Sequence, residues 1–305
     1  MKHTIGDLKQ MQSLPLRAKV LMTKQRIKAW YEHWDGDVYV SFSGGKDSTV
    51  LKHIVDSMYD DVPSVFVNTG LEYPEVRTFA LRQKNTIRVD PKMKFYDVIE
   101  KYGYPVVSKE QAQFLYEART TKSEKLKDIR LNGNKWGRGK INDKWKFLLD
   151  APFKVSHKCC DVMKKSPVKS YERKTGRKAI LGTMTDESAL RLSSWLRNGC
   201  NAFEKSRPTS QPLSFWTEQD ILQYIVENEL EIASVYGEIQ VDQEGKYYLT
   251  GCQRTGCMFC AFGCHKDENP NRFQRMKQTH PKQHEYCMNK LGLKEVLDYI
   301  GVDYE

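Results

Sequence analysis

The sequence predicts an α/β fold with a parallel sheet, and three observations predict it. Short runs of β-branched and aromatic residues recur at 38–42, 64–68, 86–89 and 178–182. Stretches of helical character lie between them. A glycine-rich turn joins the first run directly to the start of a helix. Strands alternating with helices argue for parallel pairing, with both faces of the sheet covered.

Each element has its own warrant. Leu16, Val20, Ile27, Trp30, Tyr31 and Trp34 fall near helical spacing and predict an amphipathic helix over 16–34. Asp35-Gly36-Asp37 stops it. Val38–Phe42 then reads as a buried strand, and Ser48 to Met58 as a helix after the glycine turn. Ser64–Asn68 is a second strand that runs into the polar Asn68-Thr69-Gly70. Thr86–Val89 is a third, followed by a helix from about Phe95 to Tyr102, and Lys178–Gly182 is a fourth. Two stretches break the rhythm. Residues 121–150 hold nine Lys/Arg against four Asp/Glu, a surplus of five that is half the net charge of +10, and they include Gly133, Gly137 and Gly139. They read as a mobile basic insertion. Residues 245–290 carry five of the eight cysteines and read as a small metal-organised region.

Composition narrows the function classes. A chain of 305 residues with 34 aromatics (6 Trp, 16 Tyr, 12 Phe) buries a real core and is not a disordered segment. No apolar run is long enough to cross a bilayer. The opening MKHTIGDLKQMQ has no signal-peptide core, so the cytoplasm is the expected compartment and no membrane partner is expected. The positive balance suits an anionic partner, a nucleotide or a nucleic acid. Clustered thiols in a reducing compartment point to metal or redox chemistry rather than disulfides.

Ser43-Gly44-Gly45-Lys46-Asp47-Ser48 joins the first strand to its helix. Glycines let the backbone turn sharply and approach a ligand with no Cβ in the way. The helix N-terminus offers unpaired N–H groups to an anion, Lys46 adds a positive charge, and Ser43 and Ser48 add hydroxyls. These are the parts of a phosphate cradle, although neither a Walker A nor a G-x-G-x-x-G pattern can be read. In the cysteine region, Cys252, Cys257, Cys260 and Cys264 follow C-x4-C-x2-C-x3-C, and Cys159 and Cys160 are adjacent upstream. Such thiols suit zinc or an iron–sulfur cluster, and Cys252 would complete a self-contained zinc knot. Cys200 and Cys287 stand alone. His265 follows Cys264, and His280 and His284 lie at i, i+4, a weak metal signal. No Ser-His-Asp constellation and no G-x-S-x-G elbow is present.

At this point the chain resembles a known family. S-G-G-K-D-S after a hydrophobic strand is similar to the PP-loop of the N-type ATP pyrophosphatases and the phosphoadenylylsulfate (PAPS) reductases. Asn68–Glu75, Gly103–Lys109, Gly182–Arg191 and Pro212–Ile221 resemble further segments of that family. The resemblance implies an adenine-nucleotide α-hydrolase-like (HUP) three-layer sandwich. It divides the chain into an N-terminal helical segment (1–35), a PP-loop nucleotide-binding domain (36–240, with 121–150 inserted) and a Cys-rich cluster-binding region (241–305). It implies that Ser43, Gly44, Gly45, Lys46, Asp47 and Ser48 bind the nucleotide phosphates, and that Ser41 belongs to the nucleotide site. Lys46 would be the main counter-charge, and Asp47 would cap the helix or help hold Mg²⁺. Asn68 and Thr69 would lie near base or ribose, and Gly182 would begin a stretch that closes over the nucleotide. Family members often carry a basic residue just after that glycine, where this chain has Thr183 and Met184, so Arg191 is the candidate there.

The cysteine pattern resembles the [4Fe–4S] pattern of adenylylsulfate (APS) reductases, which implies Cys159, Cys160, Cys257 and Cys260 as ligands. It also resembles DNA-phosphorothioation (Dnd-type) members, which implies Cys159 or Cys160 with Cys257, Cys260 and Cys264. Sulfonucleotide reductases attack with a cysteine in a Glu-Cys-Gly-Leu-His segment, and this chain has none. The expected function is therefore ATP pyrophosphatase chemistry. ATP is cleaved at the α–β bond to adenylate a substrate for sulfur transfer, with a sulfur-donor protein as a partner. The acceptor would be a nucleic acid, contacted through the basic 121–150 segment and its Trp136 and Trp145. The alternatives are reduction of APS or PAPS, and a regulatory module that binds nucleotide without turnover.

Overall fold

The structure is a computed structural model, and it describes residues 3–305. In chain order the helices and strands run α1 (Ile5–Gln12), α2 (Leu16–His33), β1 (Val38–Phe42), α3 (Lys46–Asp56), β2 (Ser64–Val67), α4 (Pro74–Arg82), β3 (Thr86–Val89), α5 (Phe95–Tyr102), β4 (Val106–Val107), α6 (Lys109–Thr120) and α7 (Glu124–Asn132). There follow α8 (Lys158–Cys160), α9 (Ser166–Thr175), β5 (Lys178–Leu181), α10 (Ala189–Asn198), β6 (Asn201–Ala202), β7 (Thr209–Ser210), α11 (Glu218–Glu227), β8 (Ile239–Val241), β9 (Tyr247–Leu249), β10 (Ala261–Phe262), α12 (Arg272–Thr279), α13 (Pro281–Glu285) and α14 (Leu293–Ile300).

The chain divides into two compact units. The first comprises residues up to 68, 72–90 and 168–255, and the second 69–71, 91–167 and 256–305. The N-terminal helix belongs to the first unit because Ile27 and Trp30 of α2 are fully buried in its core. The second unit draws on both the middle and the end of the chain.

The first unit is built on a six-stranded sheet in the order β3-β2-β1-β5-β7-β6, with every pair parallel except β6–β7. Strand β1 lies centrally, with Val40 opposite Ser64 of β2 and Ile180 of β5. Its side chains alternate between two cores, as a sheet covered on both faces requires. Val38, Val40 and Phe42 join the larger core with Trp30, Val50, Leu51, Ile54, Phe79 and Ile221 from the helices. Tyr39 joins the smaller one with Val65, Ala179 and, from α9, Val168 and Tyr171. Helices on both faces of a parallel sheet make the three-layer α/β sandwich that the sequence predicts.

In the second unit β10 pairs with β4 in parallel, Ala261 opposite Val106. The 121–150 stretch, expected as a mobile insertion, folds here as α7, a tight turn and a 3-10 helix (Asp143–Leu149). Ile141, Trp145 and Leu148 anchor it, all buried. Among the described residues no helix is long and apolar enough to cross a membrane.

Candidate functional site

Strands β1, β2 and β5 are adjacent and parallel, so the loops after them emerge at one edge of the sheet. In open α/β sheets that carboxyl edge is where ligands bind. It carries Ser43–Ser48 after β1, Asn68 after β2 and Gly182 after β5.

The loop after β1 is shaped by its glycines. Gly44 has φ +73°, and a Cβ there would lie 2.8 Å from the Val76 carbonyl oxygen, so only glycine fits. Gly45 is the N-cap of α3 and has no side chain to occupy the helix's first N–H groups. The helix begins at Lys46, two residues earlier than the sequence predicts, which places Lys46 and Asp47 in its first turn. Asp47 does not cap the helix. The two serines brace the turn instead: Ser48 Oγ lies 3.0 Å from Ser43 Oγ, accepts from the Ser43 N–H (3.2 Å) and donates to the Gly45 carbonyl (2.9 Å). Gly182 packs against this first turn, where a Cβ would lie 3.0 Å from the Asp47 carbonyl oxygen. Ser41 lies within β1, paired to Val65 and Leu181.

Lys46 is only 5% exposed, an unusual place for an ammonium group. Its Nζ lies 3.2 Å from Glu218 and 3.6 Å from Asp47, and donates to the Gln253 carbonyl at 3.5 Å. Burial pulls its pKa down, but the charges of Asp47 and Glu218 outweigh that and hold it above the ordinary lysine value. The Asp47 carboxyl goes the other way. Burial raises its pKa, with Lys46 opposing, and its Oδ1 is buried with no hydrogen-bond partner. The Lys46 N–H, one of the unpaired donors of the helix end, bonds to the Tyr236 hydroxyl (3.1 Å), which also lies 2.6 Å from Thr255 Oγ1. Glu218, Tyr236, Gln253 and Thr255 carry no motif that singles them out for this loop. The sequence signal for one of them is its place inside the Pro212–Ile221 segment.

Arg191 lies in the first turn of α10, where it pairs with Glu187 and feels the charges of Asp47 and Arg254. Burial is the main cause of its lowered pKa. Thr183 Oγ1, just after Gly182, is buried with no hydrogen-bond partner, so the stretch holds a free polar atom where the family often has a basic residue. Asn68 is fully engaged: its Nδ2 donates to Asp90 (2.7 Å) and its Oδ1 accepts from Arg77 Nε (2.7 Å). The Thr69 hydroxyl accepts from the Leu71 N–H at 3.1 Å.

All eight cysteines are free thiols. In the second unit Cys159, Cys160, Cys257 and Cys260 form one electrostatic neighbourhood: Cys159 feels the other three, and Cys260 feels Cys257 and Cys160. Cys264 faces Arg272 and Asp267 instead. Burial pushes the Cys260 thiol up to about 12 and Cys264 to about 11, and Cys159 higher still. Among the described residues no three His, Cys, Asp or Glu side chains already converge on a metal position. Four soft thiol donors in one neighbourhood, one buried and three half-buried, nonetheless fit zinc or an iron–sulfur cluster in kind and number. Cys252 lies in the first unit, with its thiol donating to the Arg254 carbonyl at 3.0 Å. The histidines hold to structural roles. His284 is buried against the Tyr304 carbonyl (2.9 Å), and His265 packs edge-on to Trp145.

A glycine turn at a helix N-terminus and a buried lysine thus meet at the carboxyl edge of a parallel sheet in an α/β protein. The chain belongs to the phosphoadenosine phosphosulfate reductase family, whose domain model matches residues 37–262. It is 25% identical over 271 residues to an uncharacterised protein of Methanocaldococcus jannaschii, covering 84% of this chain and 48% of that protein. The chain thus spans about half the length of that relative. Solved structures with a similar course include PAPS reductase from Candida auris in a phosphate complex, at 13% identity and TM-score 0.40 over 81% of this chain and 98% of that one. FMN adenylyltransferase from Candida glabrata matches at 10% and 0.42 over 75% and 64%. The U34-tRNA thiolase NcsA from Methanococcus maripaludis, with its [4Fe–4S] cluster, matches at 14% and 0.35 over 94% and 82%.

Proposed function

We propose that this chain binds ATP on the Ser43–Ser48 loop and cleaves it at the α–β bond, adenylating an acceptor for sulfur transfer. The observation that carries the reading is the buried Lys46 at the N-terminus of α3, held charged by Asp47 and Glu218 above a turn that only glycine can make. Lys46 and the first N–H groups of α3 would take up charge on the β- and γ-phosphates as pyrophosphate leaves. An acceptor oxygen attacks the α-phosphorus, the bond to the bridging α–β oxygen breaks, and the adenylated acceptor remains. Asp47, whose Oδ1 lies 3.6 Å from Lys46 Nζ, is the carboxylate that would help hold Mg²⁺, which would neutralise phosphate charge when bound. Arg191 and Arg254 add positive charge within electrostatic reach of Asp47.

Of the two ligand sets, the shared neighbourhood of Cys159, Cys160, Cys257 and Cys260 favours the one without Cys264. A bound [4Fe–4S] cluster would supply the sulfur-handling chemistry. Cys287 is fully buried and burial pushes its pKa far up, so it suits no thiolate attack on a sulfonucleotide.

One observation favours APS or PAPS reduction as the second reading. Cys252 is a half-buried thiol beside Gln253, whose carbonyl accepts from Lys46. Competition calorimetry with ATP, APS and PAPS on anaerobic protein with Mg²⁺ separates the two. We expect ATP to be preferred, pyrophosphate to be released, and Lys46→Ala to weaken ATP by about tenfold or more, the cost of removing a charge-assisted hydrogen bond. Preference for a sulfonucleotide, abolished in Cys252→Ser, would replace this reading with the reductase one.

A further inference from the structure

We infer that the turn carrying Trp136 is a docking site for single-stranded nucleic acid; that this strand is also the adenylated acceptor rests on the function proposed above. Trp136 is 70% exposed, whereas Trp30, Trp195 and Trp216 are fully buried and Trp145 nearly so. A large aromatic left in water is a poor use of apolar surface unless a partner covers it.

The turn that presents it is a built one. Asn134 Oδ1 accepts from the N–H groups of Trp136 (2.9 Å) and Arg138 (3.0 Å), and the Asn134 N–H donates to the Arg138 carbonyl (2.8 Å). A Cβ on Gly133 would lie 3.0 Å from the Gly137 carbonyl carbon, so the turn closes only with glycine there. Arg130 clamps its far end by donating to the Gly139 carbonyl (2.8 Å), and is itself fixed by Glu117 (2.6 Å) and the Phe114 ring. The indole is thus thrust outward from a fixed base.

The surroundings of the ring are cationic. Lys135 Nζ lies over the Trp136 ring, 4.3 Å from its centroid. Lys125, Lys127, Lys135 and Arg138 are all exposed, and none of them forms an ion pair among the described residues. Their basic neighbours Arg130, Lys140 and Lys146 do, with Glu117 and Asp143. Helix α7, which bears Lys125 and Lys127, has no buried residue of its own. The fitting ligand carries repeated negative charge and flat, accessible π-faces at close spacing. A single strand offers both, phosphates to the cations and a base to the indole. A duplex keeps its base faces stacked inside.

Fluorescence anisotropy with labelled oligouridylate, oligothymidylate and a DNA duplex tests this on the whole chain. The single strands should bind more tightly than the duplex, and the uridylate–thymidylate pair distinguishes RNA from DNA as the source. Trp136→Ala should weaken single-strand binding by about tenfold, and Trp136→Phe should restore most of it. The Lys135→Gln, Arg138→Gln double variant should lower the log–log salt slope by about 0.7 for each phosphate it no longer neutralises. Lys46→Ala should leave strand binding intact while ATP binding falls, so failure of the adenylation reading and failure of this one are separable. Wild-type affinity in Trp136→Ala, equal affinity for the duplex, or no strand binding at all would each overturn the site.

Discussion

Lys46 shows at the scale of one residue how a charge is kept inside a protein. A lysine this buried loses hydration, and its pKa would fall if it stood alone. Asp47 and Glu218 reverse that, so the ammonium enters any binding event fully charged. The same contacts mean that an incoming phosphate competes with carboxylates already in place. Glu218 is 48% exposed, so its pair with Lys46 is partly screened and worth little, on the order of 0.2–1 kcal/mol. Glu218→Gln should therefore tighten pyrophosphate binding in the absence of Mg²⁺, by about two- to fivefold. Calorimetric titration checks it, and weaker binding would show that Glu218 serves the ligand rather than competing with it.

Single elements explain why the Pro212–Ile221 and cysteine segments have the residues they do. At the start of α11, Trp216 is fully buried and its Nε1 donates to Thr23 (2.9 Å). Thr217 caps the helix, accepting from the Asp220 N–H while the Asp220 carboxylate accepts from the Thr217 N–H. That cap aims Glu218 at Lys46. In the cysteine segment the fixing is done by Arg272. It holds Asp267 through two nitrogens (2.6 and 2.9 Å) and donates to the carbonyls of Cys260 and Phe262, both at 3.0 Å. The Cys257–Cys264 turn is therefore strapped from outside the thiols. Arg272→Gln should speed metal loss to a chelator, with metal affinity about 10- to 100-fold lower and helical content unchanged. Metal retention equal to wild type would reduce the strap to a packing role.

For the whole molecule, the first unit is stitched from distant pieces of chain, and one buried pair does much of the stitching. Lys19 of α2 donates to both oxygens of Asp220 in α11, at 2.8 and 2.7 Å, with side chains 3% and 10% exposed. Asp220 thus serves the cap and the N-terminal helix together. Losing it strands a buried ammonium group, which costs about 3–5 kcal/mol. Asp220→Ala should lower stability by that amount in denaturant melts, and the double variant Lys19→Met, Asp220→Leu should recover most of it. A mild effect of the single change would mean that water reaches Lys19.

Much of this was legible in the sequence. Strands of four or five β-branched and aromatic residues announce themselves, and β1, β2, β3 and β5 fall within a residue of where the pattern puts them. The glycine turn was readable because no other residue can make it, whereas the cysteine spacing did not show that Cys159 and Cys160, about a hundred residues upstream, are the neighbours of Cys257 and Cys260. Strands β6 and β7, two residues each, are too short to carry a period, and tertiary pairing alone creates them. Ile141, Trp145 and Leu148 turned a basic tract into folded structure, which charge counting could not foresee. The partners of the loop lie far along the chain, with Tyr236 and Gln253 190 and 207 residues from Lys46. Local sequence determined the glycine turn that opens α3. Only the tertiary structure decided which groups hold its lysine charged, because a buried charge is stabilised by whatever the fold brings beside it.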